Sequence, residues 1–327
     1  MSLFDRVLDA SVLLSFNRSG YLRHSAQFDP SDLSVDLTSR RIAVTGANSG
    51  IGEATARALA NRGAHVLMLC RSKERGEAAR AAIVRDTGND SIDLVIVDMS
   101  TLDSVRSAAL SLGGKPLDAL IHNAGVLPNE RQITPDGNEL TLATNLLGPF
   151  LMSTLLAPEL ASGGGGRLLF VTSGGMYPTR LSMKDFQQER APFDGVKAYS
   201  RTKRAQVVIT EQLAQRFQGT DVVVHSMHPG WADTPAVSSS IPTFHKVMSS
   251  MLRSPAEGAD TLIWLAISDQ ALRSTGALWF DRRPVATHYF PGTRASQSVR
   301  DTLWKEVCAL CGVDEGWTAT RDNGPPA

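Results

Sequence analysis

The chain has 327 residues, 42% of them hydrophobic, which is enough to bury one large core without disulfides or metals. Lysine plus arginine and aspartate plus glutamate both number 33, so the zero formal charge offers no electrostatic case for binding nucleic acid or acidic lipid. Three cysteines are too few for a disulfide framework, and neither a signal peptide nor a long apolar run is apparent. We therefore expect a cytoplasmic protein that acts on a small molecule.

The first forty residues stand apart from the rest. Apolar residues at helical spacing over residues 3–8 predict an amphipathic helix. Its polar face carries Asp5, Arg6 and Asp9 instead of a basic stripe, which favours packing against the protein or a partner subunit over membrane docking. Residues 1–40 are thus predicted to be a partly helical N-terminal extension.

From Arg41 onward, short apolar runs alternate with alanine-rich stretches, as in parallel strands joined by crossover helices. The predicted strands are Ile42–Thr45, His65–Cys70, Asp93–Val97, Leu117–His122, Arg167–Thr172, Val222–Met227 and Ala277–Phe280. Such apolar strands imply a sheet buried on both faces. We predict a single α/β domain over 41–290, a Rossmann-like doubly wound parallel sheet of about seven strands with helices on both faces. A C-terminal helix and a disordered tail should follow over 291–327.

A glycine-rich turn separates the first strand from the first helix. Glycines there let the backbone turn tightly and approach a pyrophosphate, while the helix directs free N–H groups and its positive dipole end at the phosphates. The sequence therefore predicts a dinucleotide site that includes Thr45, Gly46, Asn48, Ser49, Gly50, Ile51 and Gly52.

Further along the chain, Tyr199 precedes Lys203 by one helical turn, so both side chains share a helix face. A tyrosine with its ordinary pKa near ~10 is a poor acid or base at neutral pH, and a nearby positive charge favours its phenolate form. The glycine turn followed by this pair predicts a redox enzyme.

The spacing of the glycines and the motifs that follow resemble the short-chain dehydrogenase/reductase family from Arg41 to about Arg283. The residues that match the family's cofactor motifs are Asp98 and Met99 after the third strand, Asn123, Ala124 and Gly125 after the fourth, and Pro229, Gly230 and Thr234 after the sixth. The matches to its catalytic tetrad are Asn145, Ser173, Tyr199 and Lys203.

The resemblance also implies a role for each tetrad residue. Tyr199 is the general acid/base, Lys203 also binds the nicotinamide ribose, and Ser173 donates a hydrogen bond to the substrate oxygen. Asn145 holds a water that relays protons from Lys203. Relatives often form homo-oligomers through the helices that carry Asn145 and Tyr199.

Two residues compete with these assignments. Ser173 and Tyr199 lie 26 residues apart, about twice the spacing common in the family, and Tyr177 falls between them. Leu181 stands where a lysine partner of Tyr177 would be required, so Tyr199 is preferred. Thr172 competes with Ser173, which matches better because it directly precedes two glycines.

The end of the second strand indicates the choice of cofactor. An acidic residue there would bind the adenine ribose, whereas a basic residue would pair with a 2′-phosphate. Arg71 occupies this region and no acid does, which predicts NADP(H) over NAD(H).

The segment of about 231–253 is apolar for a loop and is predicted to form a lid over a hydrophobic alcohol or carbonyl substrate, such as a lipid, retinoid or steroid. The motif Ser226–Pro235 further resembles the retinol-dehydrogenase-like branch. The alternatives are an epimerase or dehydratase of the same family, and a nucleotide sensor or scaffold. No metal site is expected, because Cys308 with Cys311 and His225 with His228 lack further ligands.

Overall fold

The computed structural model describes residues 12–190, 192–234, 246 and 248–320. The strands of its sheet are β1 Arg41–Thr45, β2 His65–Cys70, β3 Ile92–Ile96, β4 Ala119–His122, β5 Arg167–Val171, β6 Val223–Met227, β7 Leu278–Phe280 and β8 Arg283–Val285. Within the described residues these form one eight-stranded sheet of order β3-β2-β1-β4-β5-β6-β7-β8. All neighbours pair in parallel except β7 and β8, which are antiparallel. The predicted doubly wound sheet is confirmed.

Helices cover both faces of the sheet. They are α1 Val12–Phe16, α2 Arg18–Ser25, α3 Gly50–Ala60, α4 Lys73–Thr87, α5 Leu102–Leu112, α6 Leu140–Leu142, α7 Gly148–Leu155, α8 Ala157–Ser162, α9 Gly195–Arg216, α10 Pro255–Ile267 and α11 Gln297–Cys311. The side chains of α3, α4 and α10 build one core with Ile42 and Val44 of β1. Those of α5, α7, α9 and α11 build the other with Ala43. This alternation along β1 is what a sheet buried on both faces requires.

The helix α11 closes the second core. The indole of Trp304 packs edge-on against Phe150 of α7, with 5.3 Å between ring centroids. The guanidinium of Arg216, at the end of α9, lies 3.4 Å from the centroid of the Trp304 ring. Beyond the helix, Trp317 packs against Phe217. α11 therefore covers the outer side of α7 and α9.

The structure differs from the sequence prediction at the edge of the sheet. The strand β8 was not predicted, because it contains arginine and proline and has no apolar alternation. β4 begins at Ala119, two residues later than expected. The helix expected over 3–8, the tail 321–327 and the middle of the predicted lid, 235–245 and 247, lie outside the described residues.

Candidate active site

A cavity of about 600 Å³ lies at the carboxyl ends of the parallel strands, where the strand order reverses between β1 and β4. The predicted residues that line it are Gly46, Asn48, Ser49, Gly50, Ile51, Arg71, Asp98, Met99, Asn123, Ala124, Gly125, Ser173, Tyr199, Lys203, Pro229, Gly230 and Thr234. Three predicted site residues, Thr45, Gly52 and Asn145, are buried or half-buried outside this lining.

The turn after β1 fits a dinucleotide. Gly46 and Gly50 have φ values of 66° and 56°, the left-handed region that favours glycine. A Cβ at Gly52 would lie 2.2 Å from the carbonyl oxygen of Gly46, so only glycine allows this close approach. Ser49 precedes α3 without capping it through its side chain. The N-terminal N–H groups of α3 are thus not occupied by that hydroxyl, as a pyrophosphate site needs.

Thr45 acts behind the wall of the cavity. Its Oγ1 accepts hydrogen bonds from the backbone N–H groups of Asn123 and Ala124, both at 3.0 Å. The Asn123 side-chain amide in turn donates to the carbonyl oxygen of Thr45 at 3.0 Å. These bonds tie the end of β1 to the end of β4 and so fix the floor of the predicted dinucleotide site.

The helix α9 places Tyr199 and Lys203 in the cavity. Asp194 caps the start of this helix, since its side chain accepts a hydrogen bond from the Lys197 N–H. Lys203 Nζ lies 5.4 Å from the centroid of the Tyr199 ring and donates to the carbonyl oxygen of Val171 at 2.8 Å. The phenol and the ammonium thus lie together at the end of β5, next to Ser173.

Asn145 lies in a π-helical turn, Ala143–Leu147, and is completely buried. Its side chain accepts from the N–H of Val126 at 2.8 Å and donates to the Val126 carbonyl at 3.1 Å. A Cβ at Gly125 would lie 3.3 Å from Asn145 Oδ1 and 3.5 Å from Lys203 Nζ. Asn145 and Lys203 therefore both lie close to Gly125, and the proton relay predicted between them stays a prediction.

The two competing residues suit the reaction less well, although Thr172 also lines the cavity. Tyr177 is 2% exposed, is absent from the cavity lining and stacks on Tyr289 with 4.4 Å between ring centroids. The Thr172 hydroxyl donates to the backbone carbonyl of Lys203 at 2.8 Å. Ser173 Oγ accepts from the Gly175 N–H and also forms a hydrogen bond with Tyr199, which places the serine hydroxyl beside the phenol. The geometry favours Tyr199 and Ser173 over both.

Burial dominates the electrostatics of the pair. It raises the pKa of Tyr199 to about 12, while a hydrogen bond with Ser173 acts in the opposite direction. Burial also lowers the pKa of Lys203 to about 7, so its positive charge is only partial at neutral pH. In the protein alone, burial thus dominates the pKa of Tyr199, and the predicted stabilisation of its phenolate by Lys203 stays a prediction.

The pKa of Lys203 predicts a pH-dependent stability. An unfolded lysine titrates near about 10.4, so between pH 7 and that value the unfolded chain binds more protons than the folded one. Without nucleotide, the free energy of unfolding should consequently rise with pH across this window, and Lys203→Met should remove up to about 2 kcal/mol of the rise from pH 7 to 9. Urea titrations at both pH values measure this; the exposed Lys197→Met is the control. Equal slopes for parent and Lys203→Met would contradict it.

Sequence reasoning missed several residues near the cavity, among them Arg75, Thr144 and Gln206. Arg75 and Thr144 line it, and Gln206 donates through Nε2 to the carbonyl oxygen of Asn145 at 2.6 Å. The spacing of Arg75 from Arg71 was the available signal, because a residue in the first helical turn can face the loop before it. Thr144 and Gln206 carry no such signal.

The described ranges contain no cluster of three His, Cys, Asp or Glu side chains suited to a metal. Cys308 and Cys311 are buried free thiols whose pKa values are raised by burial. His225 instead accepts a hydrogen bond from Trp279. No helix among the described residues combines the length and hydropathy needed to cross a membrane.

The comparisons with known proteins agree with this geometry. The short chain dehydrogenase family model matches residues 40–243. Dehydrogenase/reductase SDR family member 12 of Homo sapiens is 42% identical over 94% of this chain and 97% of its own length. Retinol dehydrogenase 12 of Homo sapiens is 34% identical over 85% of this chain and 88% of its own.

Among solved structures, a short chain dehydrogenase from Escherichia coli CFT073 complexed with NADPH has a TM-score of 0.62 and 26% identity. The match covers 78% of this chain and all of the other. The predicted resemblance to the family and to its retinol-dehydrogenase-like members is confirmed. The chain belongs to the short chain dehydrogenase family of oxidoreductases.

Proposed function

We propose that this protein is an NADP(H)-dependent oxidoreductase that interconverts an alcohol and a carbonyl on a small hydrophobic substrate. The observation that carries the proposal is the meeting of Ser173, Tyr199 and Lys203 in the cavity that the glycine turn also lines. A nicotinamide dinucleotide bound there would accept or supply the hydride. Within the proposed class of lipid-, retinoid- or steroid-like substrates, the name of the retinol dehydrogenase relatives supports a retinoid.

The proton chemistry rests with Tyr199. Burial raises its pKa to about 12, so the phenol of the protein alone is protonated at neutral pH and is a weaker acid than a free tyrosine. We propose that the positive charge of Lys203 favours the phenolate as the proton passes from Tyr199 to the carbonyl oxygen. Ser173 would donate a hydrogen bond to the same oxygen, where negative charge develops. Lys203 would contact the ribose and hold the phenol in place. The three buried free thiols support a cytoplasmic setting.

The proposal is tested by titrating the purified chain with NADPH and NADH and following nucleotide fluorescence. Decanal, all-trans-retinal and a steroid ketone are then offered, and consumption of NADPH is measured. We expect tighter binding of NADPH and turnover of at least one carbonyl. Binding without turnover would favour a nucleotide sensor or an epimerase, and failure to bind either nucleotide would overturn the proposal.

Arg71 and Arg75 should decide the choice between the two nucleotides. Both arginines line the cavity. A charge-assisted hydrogen bond from one of them to the 2′-phosphate would raise the affinity for NADPH about ten-fold. Arg71→Ala and Arg75→Ala should each weaken NADPH binding about ten-fold and leave NADH binding within about two-fold. The control is Arg80→Ala, because Arg80 lies on α4 with Arg75 but forms an ion pair with Glu77. Equal losses for both nucleotides would show that the arginines do not read the phosphate.

A further inference from the structure

The end of α1 and the residue that follows it, residues 15–17, form a turn that lies directly behind the active site. The carbonyl oxygen of Phe16 accepts a hydrogen bond from the N–H of Trp231 at 2.8 Å. A Cβ at Gly230 would lie 2.6 Å from the same oxygen. Gly230 and Trp231 both line the cavity, so the N-terminal segment holds the loop after β6 through its backbone.

The ring of Phe16 packs against the other loop of the site, the one that carries Ser173 and Gly174. A Cβ at Gly174 would lie 2.5 Å from Phe16 Cε2, closer than packed atoms allow. The ring is 4% exposed and is surrounded by His228, Phe280 and Tyr177, with centroid distances of 4.6, 5.1 and 6.0 Å. It has no room to move away. The residue that follows Ser173 therefore rests on a fixed surface.

Arg253 locks this turn to the protein. Its guanidinium is buried and donates to the carbonyl oxygens of Ser15 at 2.9 Å, Phe16 at 3.0 Å and Asn17 at 3.2 Å. It also forms two bonds with the carboxylate of Asp281, at 2.6 and 2.9 Å. A turn held by three carbonyl contacts and backed by a buried ion pair is positioned far more firmly than a surface extension requires.

We infer that Phe16 is a positioning residue for the reaction. Residues 15–17 set the spacing between the loop that carries Ser173 and the loop Gly230–Trp231, and catalytic groups lose rate when displaced by as little as about 1 Å. The inference rests on the proposed function, because it assigns Phe16 to that same site. It gives the N-terminal segment a part in turnover in addition to stability.

The first test replaces Phe16. The substrate is a carbonyl compound that the parent protein reduces with NADPH. Phe16→Ala should lower kcat for this reduction about ten-fold or more, because the loops 173–175 and 230–231 lose their common support. The dissociation constant of NADPH should stay within about three-fold, and Phe16→Leu should restore most of the activity. Leu22→Ala, which removes an exposed side chain from α2, is the control. Equal losses of kcat in Phe16→Ala and Leu22→Ala would overturn the inference.

The second test reverses the contact. Gly174→Ala should lower kcat because its new methyl group meets the Phe16 ring, and adding Phe16→Leu should recover activity, a coupling that two independent defects would not show. If Phe16→Ala does not fold, Gly174→Ala with and without Phe16→Leu still tests the inference. Additive losses would refute the contact's role.

Amide hydrogen exchange separates this inference from the proposed function. Phe16→Ala should speed exchange over residues 173–176 and 230–234 relative to the parent, whether or not a substrate has been found. Unchanged exchange in both segments would overturn the positioning role. Faster exchange in a protein that binds NADPH without reducing any carbonyl would leave the positioning role standing and the proposed reaction refuted.

Discussion

Tyr199→Phe should lower kcat for carbonyl reduction by about 10²–10⁴-fold, the range associated with loss of a general acid. The substitution removes only the hydroxyl that would protonate the substrate oxygen. Since the ring and Lys203 remain, the affinity for NADPH should stay within about two-fold of the parent. The consumption of NADPH measures the rate of carbonyl reduction, and nucleotide titrations measure the affinity for NADPH.

The matched control is Tyr177→Phe. Tyr177 is buried and packs on Tyr289 outside the cavity, so the loss of its hydroxyl should leave kcat nearly unchanged. A Tyr199→Phe protein that reduces carbonyls at the parent rate would refute the assignment of Tyr199 as the acid. The raised pKa of Tyr199 also predicts a pH dependence. Because alcohol oxidation needs the phenolate form of Tyr199, its rate should increase as pH rises above neutral.

Arg253→Met should destabilise the protein by about 3–5 kcal/mol, the cost of leaving a buried charge without its partner. Asp281 is 3% exposed, and without Arg253 its carboxylate loses both bonds to the guanidinium and keeps the bond with His24 at 2.6 Å. The carbonyl oxygen of Ser15 also loses its guanidinium donor. Urea unfolding followed by circular dichroism measures the change.

Two further variants show whether the buried charge is the cause. Arg253→Met combined with Asp281→Asn removes both charges and should recover part of the lost stability; asparagine also tolerates the φ of 47° at this position. Arg18→Met breaks the exposed pair with Glu257 in the same N-terminal segment and should cost less than about 1 kcal/mol. A double variant no more stable than Arg253→Met would argue against the charge explanation.

The sequence predicted those features that follow from local patterns. Apolar runs located the parallel strands, and because parallel strands end at one edge, the motifs after β1, β4, β5 and β6 had to converge. Arg75 was missed because its approach to the cavity depends on the start of α4. The contact of Phe16 with Arg253 joins residues 237 positions apart and carries no local signal. Long-range packing of this kind is decided by the folded shape, not by periodicity.

The packing of α11 also bears on how the chain comes to be folded during synthesis. Phe150 of α7 leaves the ribosome long before Trp304, the ring that covers it. Until α11 emerges, the outer side of α7 and α9 exposes apolar surface that a chaperone or a second unfinished chain can bind. Chains cut short before residue 297 should therefore aggregate even though every proposed catalytic residue is present.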